Sequence, residues 1–335
     1  MQKILIIQTA FIGDVVLATG ILEKLHAFYP AARIDFLLRK GNESLLNEHP
    51  FLHEILIWQK KENKYGNLFD LLKKIRITRY DLVVNVQRFA ATGLLAAFSG
   101  AKMTVGFDKN PFSFLLTKKI KHNLNKSSAP VHEIERNNSL VAFLTDNAAA
   151  KPRLYPSKID YVNVEKYKQK PYICIAPASV WFTKQYPKEK WVSFINKLPR
   201  SVNIYLLGAP SDSGLCSVIE RLANHPGLAD LSGKLSFLQS AALQQSAVMN
   251  YVNDSAPMHF ASSVNAPVTA VYCSTVPAFG YGPLSDKSFI VETTEPLSCR
   301  PCGLHGYKAC PLQHFKCALT ITDEQLLKSV QNLND

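Results

Sequence analysis

The stretch Ala247-Val-Met-Asn-Tyr-Val-Asn-Asp-Ser-Ala-Pro-Met-His259 decides how this chain is read. A short apolar run ends at Asn253 and Asp254, and a proline follows near what would be a helical first turn, so the segment predicts a strand feeding a helix N-terminus. Such a junction suits an anion: unpaired backbone N–H groups and the positive end of the helix dipole face outward, and an acid at the strand's carboxyl end can hold hydroxyls. A plain N-cap accounts for the same letters, because Asp and Ser are common capping residues.

The same rhythm surrounds this junction. Strands are expected over Tyr172–Ala176, Val202–Leu207, Leu228–Leu231 and Val268–Tyr272, with helices over Lys188–Leu198, Ser213–Asn224, Phe237–Gln245 and His259–Ser263. The first half alternates likewise, with strands Lys3–Gln8, Ile34–Leu38, Glu54–Trp58, Asp81–Val86 and Met103–Phe107. Its helices are expected over Asp14–Tyr29, Glu43–Glu48, Leu68–Ile77, Thr92–Ser99 and His132–Leu144. Strand–helix alternation implies parallel sheets covered by helices on both faces, an α/β class. Asp146–Pro156, with three alanines and two prolines, reads as the linker between two α/β domains.

Bulk properties agree with that division. A chain of 335 residues exceeds the size at which one core keeps growing. With 47% hydrophobic and 19% charged residues it is globular rather than disordered. The formal charge of +12, from 38 Lys and Arg against 26 Asp and Glu, predicts attraction to nucleic acid, an anionic membrane or a phosphorylated substrate. Met1 leads straight into a strand-like run without a basic n-region or cleavage site, which predicts a cytosolic, reducing setting. No apolar run approaches the ~20 residues that span a bilayer, so membrane contact is expected to be peripheral.

The loops after strands carry the chemistry. Thr9 to Asp14 follows the first strand, and Gly13 permits a tight turn or close ligand approach, but neither G-x-G-x-x-G nor a P-loop is present. Lys184 hangs in the loop Pro177–Trp191, where an ammonium can meet a phosphate or can be an ordinary exposed lysine beside aromatic packing. Asp212 follows the next strand and can bond a ribose or close its own turn. Lys60–Lys64 and Lys73–Arg79 read as solvated basic faces.

Four pieces in register then resemble glycosyltransferase family 9, the lipopolysaccharide heptosyltransferases. They are Ile12-Gly13-Asp14, His132-Glu133-Ile134-Glu135-Arg136, Trp181-x-x-Lys184-x-x-Pro187, and Asp254-Ser255-Ala256-Pro257-Met258-His259, and the similarity runs from about residue 1 to 320. The resemblance implies a GT-B fold, two Rossmann-like domains facing a central cleft, with an acceptor-side domain 1–155 and a donor domain 156–320. A C-terminal helix within 321–335, read over Thr322–Leu333 with Thr322 and Gln325 at capping-box spacing, would pack back on the first domain. It further implies an inverting, metal-independent transfer of heptose from an ADP-sugar to an anionic glycolipid acceptor of the Kdo-lipid A type at the inner face of the cytoplasmic membrane. No nucleic-acid partner is expected, because the basic residues are spread along the chain rather than concentrated beside Cys299–Cys317.

By the same resemblance, Gly13 lies on the acceptor side and Asp14 is the general base, while Lys184 neutralises the departing diphosphate. Amides of Ser255, Ala256 and Met258 share that task, Asp254 binds sugar hydroxyls, and His259 completes the donor set. Asp212 falls near the family's ribose-binding acid and Leu235 in its adenine-contacting segment. Pro257 can donate no N–H. Gly20 replaces a proline common in the first motif, and Gln8 and Thr9 stand where a basic residue is common, so the acceptor is left open. A related transferase with another sugar or acceptor, a silent sugar-binding homologue and a nucleic-acid-binding protein are the competing readings.

Late in the chain, Cys299-x-x-Cys302 is followed by Cys310, His314 and Cys317. In a reducing compartment this spacing suits a closed tetrahedral zinc site, with free thiols around a loop or a redox pair as alternatives. Cys174, Cys216 and Cys273 lie in apolar runs and are expected in the core.

Overall fold

The structure, a computed structural model, describes residues 1–122 and 130–331. The chain divides into two compact units, Met1–Tyr155 and Pro156–Asp335. The first holds strands β1 (Lys3–Ile7), β2 (Arg33–Arg39), β3 (Glu54–Trp58), β4 (Leu82–Asn85), β5 (Met103–Phe107) and β6 (Lys118–Ile120), all parallel in the order β3-β2-β1-β4-β5-β6. The second holds β7 (Tyr172–Ala176), β8 (Asn203–Leu206), β9 (Leu228–Asp230), β10 (Met249–Asn253), β11 (Val268–Tyr272) and β12 (Ser288–Glu292), again parallel, in the order β12-β11-β10-β7-β8-β9. Both are the doubly wound order, and in each the direction of winding reverses between the first and fourth strands.

Helices of the first unit are α1 (Ile12–Phe28), α2 (Lys64–Thr78), α3 (Ala90–Ala97) and α4 (Glu133–Ser139). Those of the second are α5 (Lys158–Val164), α6 (Lys188–Lys197), α7 (Ser213–Leu222), α8 (Phe237–Gln245), α9 (Ala256–Ser263), α10 (Lys316–Leu319) and α11 (Asp323–Gln331). Central parallel strands are covered on both faces and so need continuous apolar runs. Ile4, Leu5, Ile6 and Ile7 of β1 are accordingly fully buried. Edge strands escape this requirement: β6 reads Lys-Lys-Ile and β12 is half exposed, which is why periodicity did not announce them.

The region Glu43–Glu48, expected as a helix, is a single 3-10 turn, Glu43–Leu46. His132–Leu144 holds only the seven residues of α4, and α9 starts at Ala256, earlier than expected, because Pro257 suits a helix's first turn. The expected linker is a strap laid on α1. Lys24 pairs with Asp146 and donates to the Ala148 carbonyl at 2.7 Å, and Tyr155 reaches Glu23 at 3.0 Å. Gly20 is required beneath it, since a Cβ there would stand 2.6 Å from the Ala150 carbonyl oxygen.

The last helix, expected against the first domain, packs within the second unit. Leu326 is buried in the cluster around Trp191 and Phe194, Tyr251 donates to its carbonyl at 3.0 Å, and Asp323 pairs with Lys197 at 2.9 Å. Thr322 and Gln325 form the expected reciprocal cap, whereas the end of the expected helix and the remaining tail, residues 332–335, lie outside the described residues. No helix among the described residues is long and apolar enough to cross a membrane.

Candidate active site

In parallel sheets ligands bind outside the carboxyl ends of strands, at the reversal point. In the first unit that point is flanked by the loops after β1 and β4. Thr9, 1% exposed, donates its hydroxyl to Gln87 at 2.6 Å and ties the two loops together. α1 then starts without a side-chain cap, with Gly13 and Asp14 in its first turn. The helix dipole favours a carboxylate there.

The His132–Arg136 motif lies in α4. Arg136 is 3% exposed, and its Nε and one terminal nitrogen each meet Glu133 at 2.7 Å. Burial first, opposed by Arg136 and Arg88 and reinforced by the negative charge of Asp14, raises the Glu133 carboxyl above its ordinary value. Burial, with Arg88 and Arg136 nearby, lowers His122 to about 4. Asp14 therefore sits within an electrostatic group that includes Glu133, Arg136 and Arg88, of which only Arg88 carries no motif signal in the sequence.

The Lys60–Lys64 segment, read as a solvated face, is more committed than that. Lys60 donates to the Thr9 carbonyl at 2.7 Å and lies 4.6 Å from the Trp58 ring centre. Burial and the neighbouring Arg39 and Lys64 lower its pKa to about 8. Arg39 in turn covers Phe11 at 4.9 Å, and Phe11 and Phe89 are exposed. These residues end or follow β1, β2, β3 and β4, so strand ends were the signal that could have found them. Lys73–Arg79, by contrast, is largely exposed on α2, with Ile75 turned into the core.

In the second unit the reversal lies between β7 and β10. Lys184, in the 3-10 turn Phe182–Lys184 after β7, and Asp254, after β10, are brought together as an ion pair at 2.7 Å, and Thr275 donates to the same Asp254 oxygen at 2.7 Å. Both charged side chains are largely buried, at 14% and 9% exposure. Asn253 fixes the approach of the Lys184 loop, accepting from the Tyr186 amide at 2.9 Å and donating to Pro177 at 2.8 Å. An ammonium has three donors, so Lys184 can hold Asp254 and still meet an anion.

The other expected donor residues divide. Ser255 is the extended N-cap of α9, so its amide and that of Ala256 face the anion-binding end of the helix. Met258 does not share this role: its amide donates to the Ser255 carbonyl at 3.1 Å, and its side chain is buried core. His259 is 5% exposed. Asp212 closes its own turn, one oxygen accepting the Ala209 amide at 2.8 Å, as short acids before helices often do. Leu235 is half buried and packs on the core formed by Tyr172, Leu243 and Met258.

Cys174, Cys216 and Cys273 are core residues, as expected; burial raises all three thiols, that of Cys216 to about 12. The late cysteines gather. Burial followed by the neighbouring thiols raises Cys302 and lifts Cys317 to about 11, and the Cys299 sulfur lies 3.9 Å from His314 Nε2. A different trio, Asp35, His53 and Glu54, has donor atoms within 4.8 Å of one another. Its carboxylates are already paired, however, Asp35 with Arg33 and a 2.6 Å bond from Tyr80, Glu54 with Arg33 and Lys74. Two open depressions of 500 and 320 Å³ along β3 contain none of the expected site residues.

The profile of glycosyltransferase family 9 (heptosyltransferase) matches residues 68–307. The chain belongs to this family. It is therefore a glycosyltransferase. It is 28% identical over 287 residues to lipopolysaccharide heptosyltransferase 3 of Escherichia coli strain K12, covering 78% of this chain and 80% of that one. The structure of E. coli ADP-heptose lps heptosyltransferase II superposes with a TM-score of 0.81 at 22% identity, covering 99% and 98% of the two chains. E. coli heptosyltransferase WaaC with ADP gives 0.74 at 16% identity, covering 99% of this chain and 100% of that one. These likenesses agree with the two-sheet GT-B architecture.

Proposed function

We propose that this family 9 member is an inverting transferase moving heptose from ADP-heptose to an inner-core lipopolysaccharide acceptor. The observation that carries the reading is the Lys184–Asp254–Thr275 network beside the α9 N-terminus at the reversal point of the second sheet. An ammonium and helix-terminal amides suit a diphosphate, which gains charge as it leaves. The likeness to lipopolysaccharide heptosyltransferase 3 supports a lipopolysaccharide acceptor, and the likeness to ADP-heptose lps heptosyltransferase II and to heptosyltransferase WaaC with ADP supports the donor.

In this mechanism Asp14 accepts the proton of the acceptor hydroxyl as its oxygen attacks the donor C1. The bond from C1 to the phosphate oxygen breaks on the opposite side, and the ADP leaves with the electron pair beside Lys184 and the Ser255 and Ala256 amides. Asp254 and His259 orient the sugar, and Asp212 and Leu235 border the nucleoside. The transfer needs no metal, and zinc at the cysteine cluster would be structural. The +12 charge and the cationic group Arg39, Lys60 and Lys64 suit a phosphorylated acceptor presented at the inner face of the cytoplasmic membrane. No nucleic acid enters this reading.

Turnover of ADP-heptose on a defined core acceptor tests it. Asp14→Asn should lower kcat by about 10²–10⁴ while ADP still raises the melting temperature, as expected for loss of a general base. Stabilisation by UDP but not ADP, or undiminished transfer by the variant, would sink the assignment of donor or base respectively.

A further inference from the structure

Between β12 and α10 the chain runs through residues 293–315 with neither helix nor strand. A connection this long inside a compact unit is uncommon unless function or a cross-link holds it. Its first limb is pinned to the candidate donor loops. Arg300 donates to the carbonyls of Cys273 and Thr275, each at 2.8 Å, and the Cys302 amide donates to Ser274 at 2.8 Å. The Tyr307 amide donates to the Thr183 hydroxyl at 2.7 Å, and the Thr183 amide returns a bond to Tyr307 at 3.1 Å.

Gly306 makes this corner tight. Its φ is +73°, and a Cβ would stand 2.8 Å from the Thr183 hydroxyl and 3.1 Å from Lys184 Cγ. Any movement of the loop is thus passed directly to the turn that carries Lys184. The return limb through Cys310 to His314 is closed by its own turn, the Gln313 amide on the Cys310 carbonyl at 3.0 Å. Between the limbs, the Cys299 sulfur lies 3.9 Å from His314 Nε2, and the thiols of Cys299, Cys302, Cys310 and Cys317 act on one another electrostatically.

The donor set fits four sulfurs rather than sulfurs and an imidazole. His314 Nδ1 accepts the Lys316 amide at 3.0 Å, which leaves the ring proton on Nε2, pointing at the Cys299 sulfur 3.9 Å away. His314, expected among the ligands, is therefore a donor to a ligand sulfur. Four cysteines remain, the set that tetrahedral zinc or iron prefers. No three of the cluster's donor atoms lie within 4.8 Å of one another, whereas sulfurs around one tetrahedral ion sit roughly 3.8 Å apart, given a metal–sulfur distance of about 2.3 Å. Binding must draw the loop inward and release the thiol protons to solvent.

We propose that Cys299, Cys302, Cys310 and Cys317 bind one thiophilic divalent ion, zinc or ferrous iron, and that this ion positions Lys184 for the donor diphosphate by cinching the loop whose Gly306–Tyr307 corner packs on Thr183 and Lys184. This rests on the reading that Lys184 meets the diphosphate. The ion touches no reacting atom.

The test uses untagged full-length protein, purified anaerobically with reductant, then stripped with dipicolinate and reconstituted with zinc, ferrous iron or cobalt. One ion per chain is expected by elemental analysis, and cobalt should show the intense charge-transfer absorption of a tetrathiolate site. Failure to bind any of the three at one equivalent overturns the proposal. ADP affinity, measured by calorimetry, should weaken about tenfold in the stripped protein, roughly the worth of one charge-assisted contact, and return with the ion. Equal ADP affinity with and without the ion, while Lys184→Ala still weakens it, refutes the coupling but leaves the donor site standing. An unaffected Lys184→Ala refutes the donor site and this inference together. Should the stripped protein unfold, Cys310→His, which offers another ligand, keeps the question decidable. It should retain both ion and ADP affinity, and a Cys310→His protein that holds the ion yet binds ADP tenfold more weakly would overturn the proposal.

Discussion

Replacing Lys184 by Met leaves Asp254, 9% exposed, with the Thr275 hydroxyl as its remaining partner at 2.7 Å. Removing one member of a fully buried pair costs about 3–5 kcal/mol, because the other charge stays desolvated and uncompensated. Here the lysine side chain keeps 14% of its exposure, so water can partly relieve the stranded carboxylate and about 2 kcal/mol is the expected loss. For a unit the size of Pro156–Asp335 that corresponds to a fall of about 4–8 °C in the melting transition. Asp254→Asn in the same background removes the stranded charge while preserving shape, so the double variant should recover most of the loss. The assay is a double-mutant cycle by urea unfolding, read in parallel with ADP affinity. A coupling of about 2 kcal/mol is expected, and a cycle additive to within about 0.5 kcal/mol would show that the pair is not made in solution.

Other perturbations separate the two units. Gly306→Ala must displace Thr183 or Lys184 and adopt a φ of +73°, so it should cost about 1–3 kcal/mol and raise the donor KM more than the acceptor KM in steady-state kinetics; unchanged stability and KM would contradict the tight corner. His122 titrates at about 4 when folded and at its ordinary 6.5 when unfolded, so its contribution to stability is complete above pH 6.5 and is lost as pH falls toward 4. Urea unfolding of His122→Asn should therefore show a shallower decline between those pH values than the parent, and identical slopes would count against the buried neutral ring. Lys60→Met should weaken binding of a phosphorylated acceptor and reduce its salt dependence without altering ADP affinity; an effect on ADP alone would place Lys60 with the donor instead.

Much of the architecture was legible because burial leaves a mark in one dimension. Met103–Phe107, Tyr172–Ala176 and Val268–Tyr272 were bounded correctly from apolar runs, since strands covered on both faces admit little else, and the edge strand Glu54–Trp58 was bounded correctly as well because Leu56 and Trp58 are buried on its one covered face. The solvent-facing edges β6 and β12 are under no such constraint and were missed. Lys184 and Asp254 were visible as loop residues after strands, but their pairing was not, since 70 positions of chain hide which strands are neighbours. Lys60 illustrates the reverse case: a basic run looks like surface until the Thr9 carbonyl is folded against it.

The sequence by itself determined the strand–helix rhythm, the family and the acids and bases at its motifs, because these depend on residue type and local spacing. Tertiary structure alone decided which of them share charge. It joined Lys184 to Asp254 and Thr275, committed Asp212 and Met258 to their own turns, turned the His314 proton toward Cys299, and set Gly306 against the Lys184 turn. Hydrogen bonds and ion pairs act over a few ångströms in space, and only the winding of the sheets brings distant residues within that range.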